Sequence, residues 1–205
     1  MINIQEAYYR LWEHHNRIVP FSKEEFEMMM NLGDICILKK GEFVYKQGKV
    51  PRYGGYVFEG ALRHFYTDPD SGKETTVGFE FEDSCLGDLR SIVYHEPAIT
   101  SLQAMQETIV GRLNKEHYPY LVDHCRPFAK MMLLSLEQRY NSLMNESIKT
   151  RNDDAEEAYL KMLEDFPHIL QRVPQRYIAS YLGIKPQSLS RIRKNISVQK
   201  YELVS

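Results

Sequence analysis

Apolar residues recur at helical spacing over positions 3–16 and again over 22–31, so the chain opens with two short helices. Ser22, followed three residues later by Glu25, has the pattern of a capping box and marks the start of the second. From Asp34 the period falls to two, as in Ile35 and Ile37. Short segments rich in Val, Tyr, Phe and Thr follow, punctuated by Gly41, Gly48, Gly60, Gly72 and Gly87. Such spacing predicts an antiparallel β region. Its clearest hairpin joins YVFEGALRHFYTD to KETTVGFEFED through Pro69-Asp70-Ser71-Gly72, where proline, acid and glycine supply the turn dihedrals. The segments SLQAMQ and TIVGRL carry the strand pattern to about residue 114, which predicts a sandwich, barrel or jelly roll.

Beyond Asn114 the helical period returns, and the stretch from Pro127 to Arg151 has no internal glycine or proline to break it. A helix of that length spans roughly 35 Å. Leu133, Leu136, Tyr140 and Leu143 follow a 3-4-3 spacing, while Met132, Met144 and Ile148 widen the apolar surface to a second face. One face then packs on the β region and the other on a second copy of the chain; burial of both within one subunit is the alternative. The run Asn152-Asp153-Asp154-Ala155-Glu156-Glu157 reads as a helix start, because a capping residue and carboxylates complement the positive end of the helix dipole. Pro167 ends this helix, and Pro174 opens another where its missing amide hydrogen costs nothing.

A chain of 205 residues suits two modest domains. Its 43% hydrophobic, 12% aromatic and 26% charged residues place it among globular proteins rather than disordered or fibrous ones. No run approaches eighteen apolar residues, and the amino terminus lacks the basic-then-apolar pattern of a secretory signal, so a cytoplasmic protein without a membrane partner is expected. Cys36, Cys85 and Cys125 are too few and too scattered for a metal-ligand spacing or a disulfide framework. The net charge of −2 hides an asymmetry. Residues 166–205 carry seven basic side chains against one acidic, a local +6 that leaves −8 on the remainder. A basic end on an acidic body fits one nucleic-acid-binding module.

The basic end also has the pattern of two short helices joined by a tight turn, VPQRYIASYLGIKPQSLSRIRKN. Ala179 is small where the helices approach, Gly183 suits the left-handed turn, and Ile178, Leu182, Ile184, Leu189 and Ile192 fill a small core. Pro186 fits the first turn of the second helix. Gln187, Ser188 and Arg191 then face outward as readers of base edges, with Arg176, Lys185, Arg193 and Lys194 on the phosphate backbone of double-stranded DNA. A plain helical hairpin with a solvated basic face is the competing reading.

The order of these parts resembles the Crp/Fnr family of transcription regulators. The resemblance rests on GEFVYKQG at 41–48, YVFEGALR with Gly60, CLGDL at 85–89, and the tail. It implies an α+β fold: an antiparallel cyclic-nucleotide-binding-like β-roll or jelly roll at 1–125, a long dimerisation helix at 126–151, and a helix-turn-helix domain at 152–205. It further implies a non-enzymatic, homodimeric DNA-binding regulator that works with RNA polymerase. The dimer interface falls to Leu133, Leu136, Tyr140 and Leu143, and the effector site to Gly87, Asp88, Leu89, Thr100 and Ser101. In the family's nucleotide binders a Gly-Glu pair opens a phosphate cassette that an arginine closes. Here Gly87-Asp88-Leu89 opens it and Pro97-Ala98-Ile99-Thr100-Ser101 closes it without arginine, while Arg90 is misplaced for the role. Without that clamp, worth about 1.5–3 kcal/mol, another small effector or none is expected in place of cyclic AMP.

No cofactor is assigned. Three cysteines cannot supply an iron–sulfur cluster, and a haem ligand from His64, His95, His117 or His124 is a minor alternative. The chain from Ile196 to Ser205 is too short for a full wing hairpin, so the wing is short or absent. Two other classes compete. One is a ligand-binding signalling protein without DNA binding. The other is a jelly-roll metalloenzyme, against which YRLWEHH at 9–15 departs from H-E-x-x-H and no G-x-S-x-G or Walker sequence occurs.

Overall fold

The computed structural model describes residues 4–149 and 155–202. Two helices come first, α1 (Ile4–Ile18) and α2 (Lys23–Asn31). The capping box is formed: the Ser22 hydroxyl accepts from the Glu25 amide at 3.2 Å, and the Glu25 carboxylate accepts from the Ser22 amide at 2.8 Å. The strands are β1 (Gly33–Leu38), β2 (Phe43–Tyr45), β3 (Tyr53–Glu59), β4 (Leu62–Thr67), β5 (Glu74–Glu80) and β6 (Cys85–Leu86). After a short helix α3 (Leu89–Tyr94) come β7 (Ser101–Ala104) and β8 (Thr108–Asn114). They form two four-stranded antiparallel sheets, β1-β8-β3-β6 and β2-β7-β4-β5.

The β4–β5 hairpin is where the turn residues place it. Asp68 Oδ1 accepts from the Ser71 amide at 2.8 Å, and Gly72 takes a positive φ of 67°. The arm read as one run, YVFEGALRHFYTD, is however two strands in different sheets. Gly60 parts them with φ of 115°, and a Cβ there would lie 2.7 Å from the Thr108 Cα. Only glycine tolerates both conditions, so the chain leaves one sheet and enters the other at this corner.

Three apolar cores follow from this arrangement. Between the sheets, Val57, Leu62, Leu102 and Val110 are almost completely buried. On the outer face of the β1-β8-β3-β6 sheet, Tyr56, Phe58 and Leu113 meet Leu11, Phe21 and Phe26 of the leading segment. They also meet Leu121 of α4 (Tyr118–His124) and Phe128 of α5 (Arg126–Lys149). The third core joins Ala61, Phe79 and Met105 of the β-roll to α6 (Ala155–Asp165), α7 (Ile169–Arg172), α8 (Gln175–Tyr181) and α9 (Pro186–Glu202).

The carboxyl-terminal helices are thus seated on the roll, and polar contacts frame the seat. The Arg172 guanidinium donates to both Glu82 oxygens at 2.6 and 2.7 Å and to the Gly60 carbonyl at 2.6 Å. Glu82 in turn accepts from the Gly60 amide at 2.8 Å. Burial raises the Glu82 carboxyl, but Arg172 and the Gly60 amide outweigh it and hold the group below its usual value. The Thr76 amide of β5 donates to the Ser180 hydroxyl of α8 at 2.9 Å. Buried Arg63 stacks 4.0 Å from the Tyr177 ring centroid.

Of the acidic run read as a helix start, residues 152–154 lie outside the described residues, and α6 opens at Ala155 with Glu156 and Glu157 in its first turn. The end of the long helix at 150–151 and the Ile148 side chain also lie outside them. No helix among the described residues is long and apolar enough to cross a membrane.

Candidate DNA-reading helix and sensor cavity

The tail folds as two helices around a sharp turn. Gly183, with φ of 67°, follows α8; its amide bonds the Ser180 carbonyl at 3.2 Å and the Ile184 amide reaches back to Ala179 at 3.0 Å. This paired closure is how a helix ends on a left-handed residue. Ala179 and Leu189 are buried where α8 meets α9, with Ile178 beside them. One side of α9, Leu189, Ile192 and Ile196, faces that core. The opposite side, Gln187, Ser188, Arg191, Lys194 and Asn195, is exposed along the helix. Lys185 and Arg176 are exposed too, the latter against the Tyr177 ring. Arg193 stands apart: it is half-buried and engages the Tyr159 hydroxyl. α9 itself runs on to Glu202.

The second feature is a cavity of about 430 Å³ between the roll and α5. It gathers Gly87, Asp88, Leu89 and Thr100 of the sequence-read effector set. Ser101 is not among its lining residues, because its hydroxyl is buried accepting the Gln47 amide at 2.9 Å. Asp88 caps α3 by accepting the Ser91 amide at 3.0 Å. Arg90 is exposed and pairs with Glu96 at 2.6 Å, away from the lining.

Sequence reasoning missed His15, Tyr45 and Arg139, which line the cavity from distant segments, and named His64 only as an alternative haem ligand. Arg139 of α5 lines it and donates to Glu80 at 3.0 Å. Burial raises the Glu80 carboxyl above its usual value against the pull of that guanidinium. His64 Nε2 lies 2.5 Å from the Thr100 hydroxyl and 3.3 Å from the Tyr45 hydroxyl. Burial, helped by Arg139, lowers His64 to about 4. His15, buried beside Tyr56 and Phe21, is likewise lowered to about 4, by burial and then by His14. Of these groups only His64, a histidine within the apolar strand β4, carried a sequence signal.

Leu133, Leu136, Tyr140 and Leu143 form an exposed stripe on α5, each 45–65% exposed, while Met131, Met132 and Leu134 turn to the roll. Leu136 and Leu143 also reach the cavity. No group of three His, Cys, Asp or Glu side chains among the described residues is placed to hold a metal ion.

The sequence matches no known family model and no curated protein. Solved structures share its architecture over most of its length. FixK2 from Bradyrhizobium japonicum aligns with a TM-score of 0.71 at 15% identity, covering 82% of this chain and 86% of its own. The c-di-GMP responsive global regulator CLP of Xanthomonas campestris aligns at 0.69 and 14%, covering 87% and 93%. The Thermus thermophilus catabolite activator protein aligns at 0.56 and 18%, covering 88% and 85%. The chain has the Crp/Fnr fold. Within that fold, the cavity lies in the β-roll half and α9 is the second helix of the helix-turn-helix.

Proposed function

We propose that this chain is a homodimeric DNA-binding transcription regulator of the Crp/Fnr family, with no catalytic activity, acting in the cytoplasm. Its working parts are the sensor at 1–125, the dimerisation helix at 126–151 and the reading domain at 152–205. The observation that carries the proposal is the two-sided character of α9. Its apolar side is locked against α8, while Gln187, Ser188, Arg191 and Lys194 stand clear on the other. An α-helix fits the major groove, where arginine makes paired bonds to guanine and glutamine to adenine. Arg191, Gln187 and Ser188 read bases; Arg176, Lys185 and Lys194 hold phosphates, and Arg193 contributes to that positive edge from beside Tyr159.

The exposed stripe of Leu133, Leu136, Tyr140 and Leu143 supports dimerisation, because a row of large apolar side chains on one helix is best buried against its copy. Two copies would then present their α9 helices to half-sites about one helical turn apart. Contact with RNA polymerase follows from the same reading. The cavity takes a small effector other than cyclic AMP, since the cassette closes on Thr100 and Ser101 without arginine and Arg90 lies elsewhere.

The decisive experiment selects a site from random duplexes with the intact protein and then titrates variants by fluorescence anisotropy. Arg191→Ala should lose about 1–3 kcal/mol on that site, whereas Lys194→Ala should weaken all duplexes alike and reduce the salt slope by about one. Wild-type affinity of Arg191→Ala for the selected site would remove the base-reading assignment. Absence of any salt-dependent binding would favour a signalling protein that does not touch DNA.

A further inference from the structure

The cavity carries information about what fills it. Its walls are mainly apolar, with Leu11, Met29, Phe58, Ile92, Phe128 and Met132 drawn from both leading helices, the roll and α5. Four charged side chains also reach it, Asp34, Asp88, Arg112 and Arg139. Each of the two cations stands beside a carboxylate, and Asp88 is engaged as a helix cap. Arg112 clasps Asp34 through two bonds of 2.7 and 2.8 Å, Arg139 donates to Glu80, and Asp88 is held by the Ser91 amide. His15 and His64 are kept neutral by burial. Any ion would give up hydration against these mainly apolar walls, and an anion would also have to share Arg112 or Arg139 with Asp34 or Glu80.

A neutral polar group meets a better reception. His64, Thr100 and Tyr45 form a compact cluster of ring nitrogen and two hydroxyls. A neutral imidazole and a hydroxyl can each donate or accept, so the cluster can re-pair around one added hydroxyl or carbonyl oxygen without any change of charge.

We infer that the sensor cavity binds a neutral, mainly apolar small molecule whose single hydroxyl or carbonyl group joins the His64–Thr100–Tyr45 cluster. The inference rests on reading the β-roll as a sensor, and it names the chemical class of effector. It also argues against cyclic nucleotides on a second ground, since their phosphodiester is an anion and both cations lining the cavity already meet carboxylates.

The test uses three matched probes on the full-length protein, followed by calorimetry and thermal shift without DNA. They are biphenyl-4-methanol, biphenyl-4-carboxylate and 4-methylbiphenyl, with cyclic AMP as a fourth. The alcohol should bind about tenfold more tightly than the hydrocarbon, the value of one well-placed hydrogen bond, and more tightly still relative to the carboxylate. His64→Phe should bring the alcohol-to-hydrocarbon ratio close to one while the hydrocarbon still binds; Thr100→Val serves the same comparison should His64→Phe fail to fold. Tighter binding of the carboxylate or cyclic AMP, an unchanged ratio in the variants, or no binding of any neutral probe overturns the inference. Because these measurements omit DNA, a chain that binds the alcohol but no duplex refutes only the regulator reading. A chain that reads DNA but rejects the neutral probes refutes only this one.

Discussion

The β-roll is covered twice, and the two coverings differ in kind. On the β1-β8-β3-β6 face, α1, α2, α4 and α5 bring aromatic and aliphatic side chains into a continuous core, with Leu121, Cys125 and Phe128 almost fully removed from solvent. At the β4–β5 side, the carboxyl-terminal helices meet a smaller apolar patch of the roll, Ala61, Phe79, Phe81 and Met105, and add an ion pair, a hydroxyl contact and a stacked guanidinium. Apolar burial is non-directional and holds the first covering to the fold as a whole. The second depends on a few directional contacts of modest net strength each, so it can detach as a unit. The first covering is therefore the firmer of the two, and the second the one that can open first.

The largest expected effect tests the first covering. Phe128→Ala should cost about 3–5 kcal/mol and unfold roll and leading helices together, seen as one lowered transition in calorimetry. Acid comes next. His15 and His64 sit at about 4 in the folded chain against 6.5 when unfolded, so the unfolded chain binds protons first as pH falls. Their contribution is complete above pH 6.5 and is lost progressively towards pH 4, on the order of 3 kcal/mol for each. A denaturation series across that window should show the slope, and His64→Gln should flatten it.

Smaller effects belong to the second covering. Arg172→Ala should weaken the seat by about 1–3 kcal/mol, because Glu82 and the Gly60 carbonyl lose their partner. Hydrogen exchange should then quicken in α8 while β3 and β8 keep their protection. Ser180→Ala should do the same by about 1 kcal/mol or less. If Arg172→Ala instead unfolds the whole chain in one transition, the two coverings are not different in kind.

Most of the architecture was readable because it depends on local signals. The capping box at Ser22, the Asp68–Gly72 turn, the change of period after Asp34 and the Gly183 turn each act within a few residues. The Gly60 corner was misread because a strand that changes sheets keeps its period-two pattern; only Thr108, forty-eight residues on, reveals the crowding. The outward face of α9 was visible from helical spacing, apart from Arg193, whose engagement with Tyr159 is a tertiary matter. The cavity was the least legible part. Its polar cluster joins Tyr45, His64 and Thr100 from three separate segments, and Arg139 comes from a fourth. No spacing rule connects them.

The Gly60 corner also bears on engineering. It faces Thr108 inside the roll, donates its amide to Glu82 and offers its carbonyl to Arg172, so one residue serves both halves. A chimaera that joined this β-roll to a foreign helical domain after α5 would supply Glu82 and the Gly60 carbonyl with no guanidinium to meet them. The portable module therefore includes a three-residue docking code, Gly60, Glu82 and Arg172, that must be transplanted together for the junction to keep its contacts.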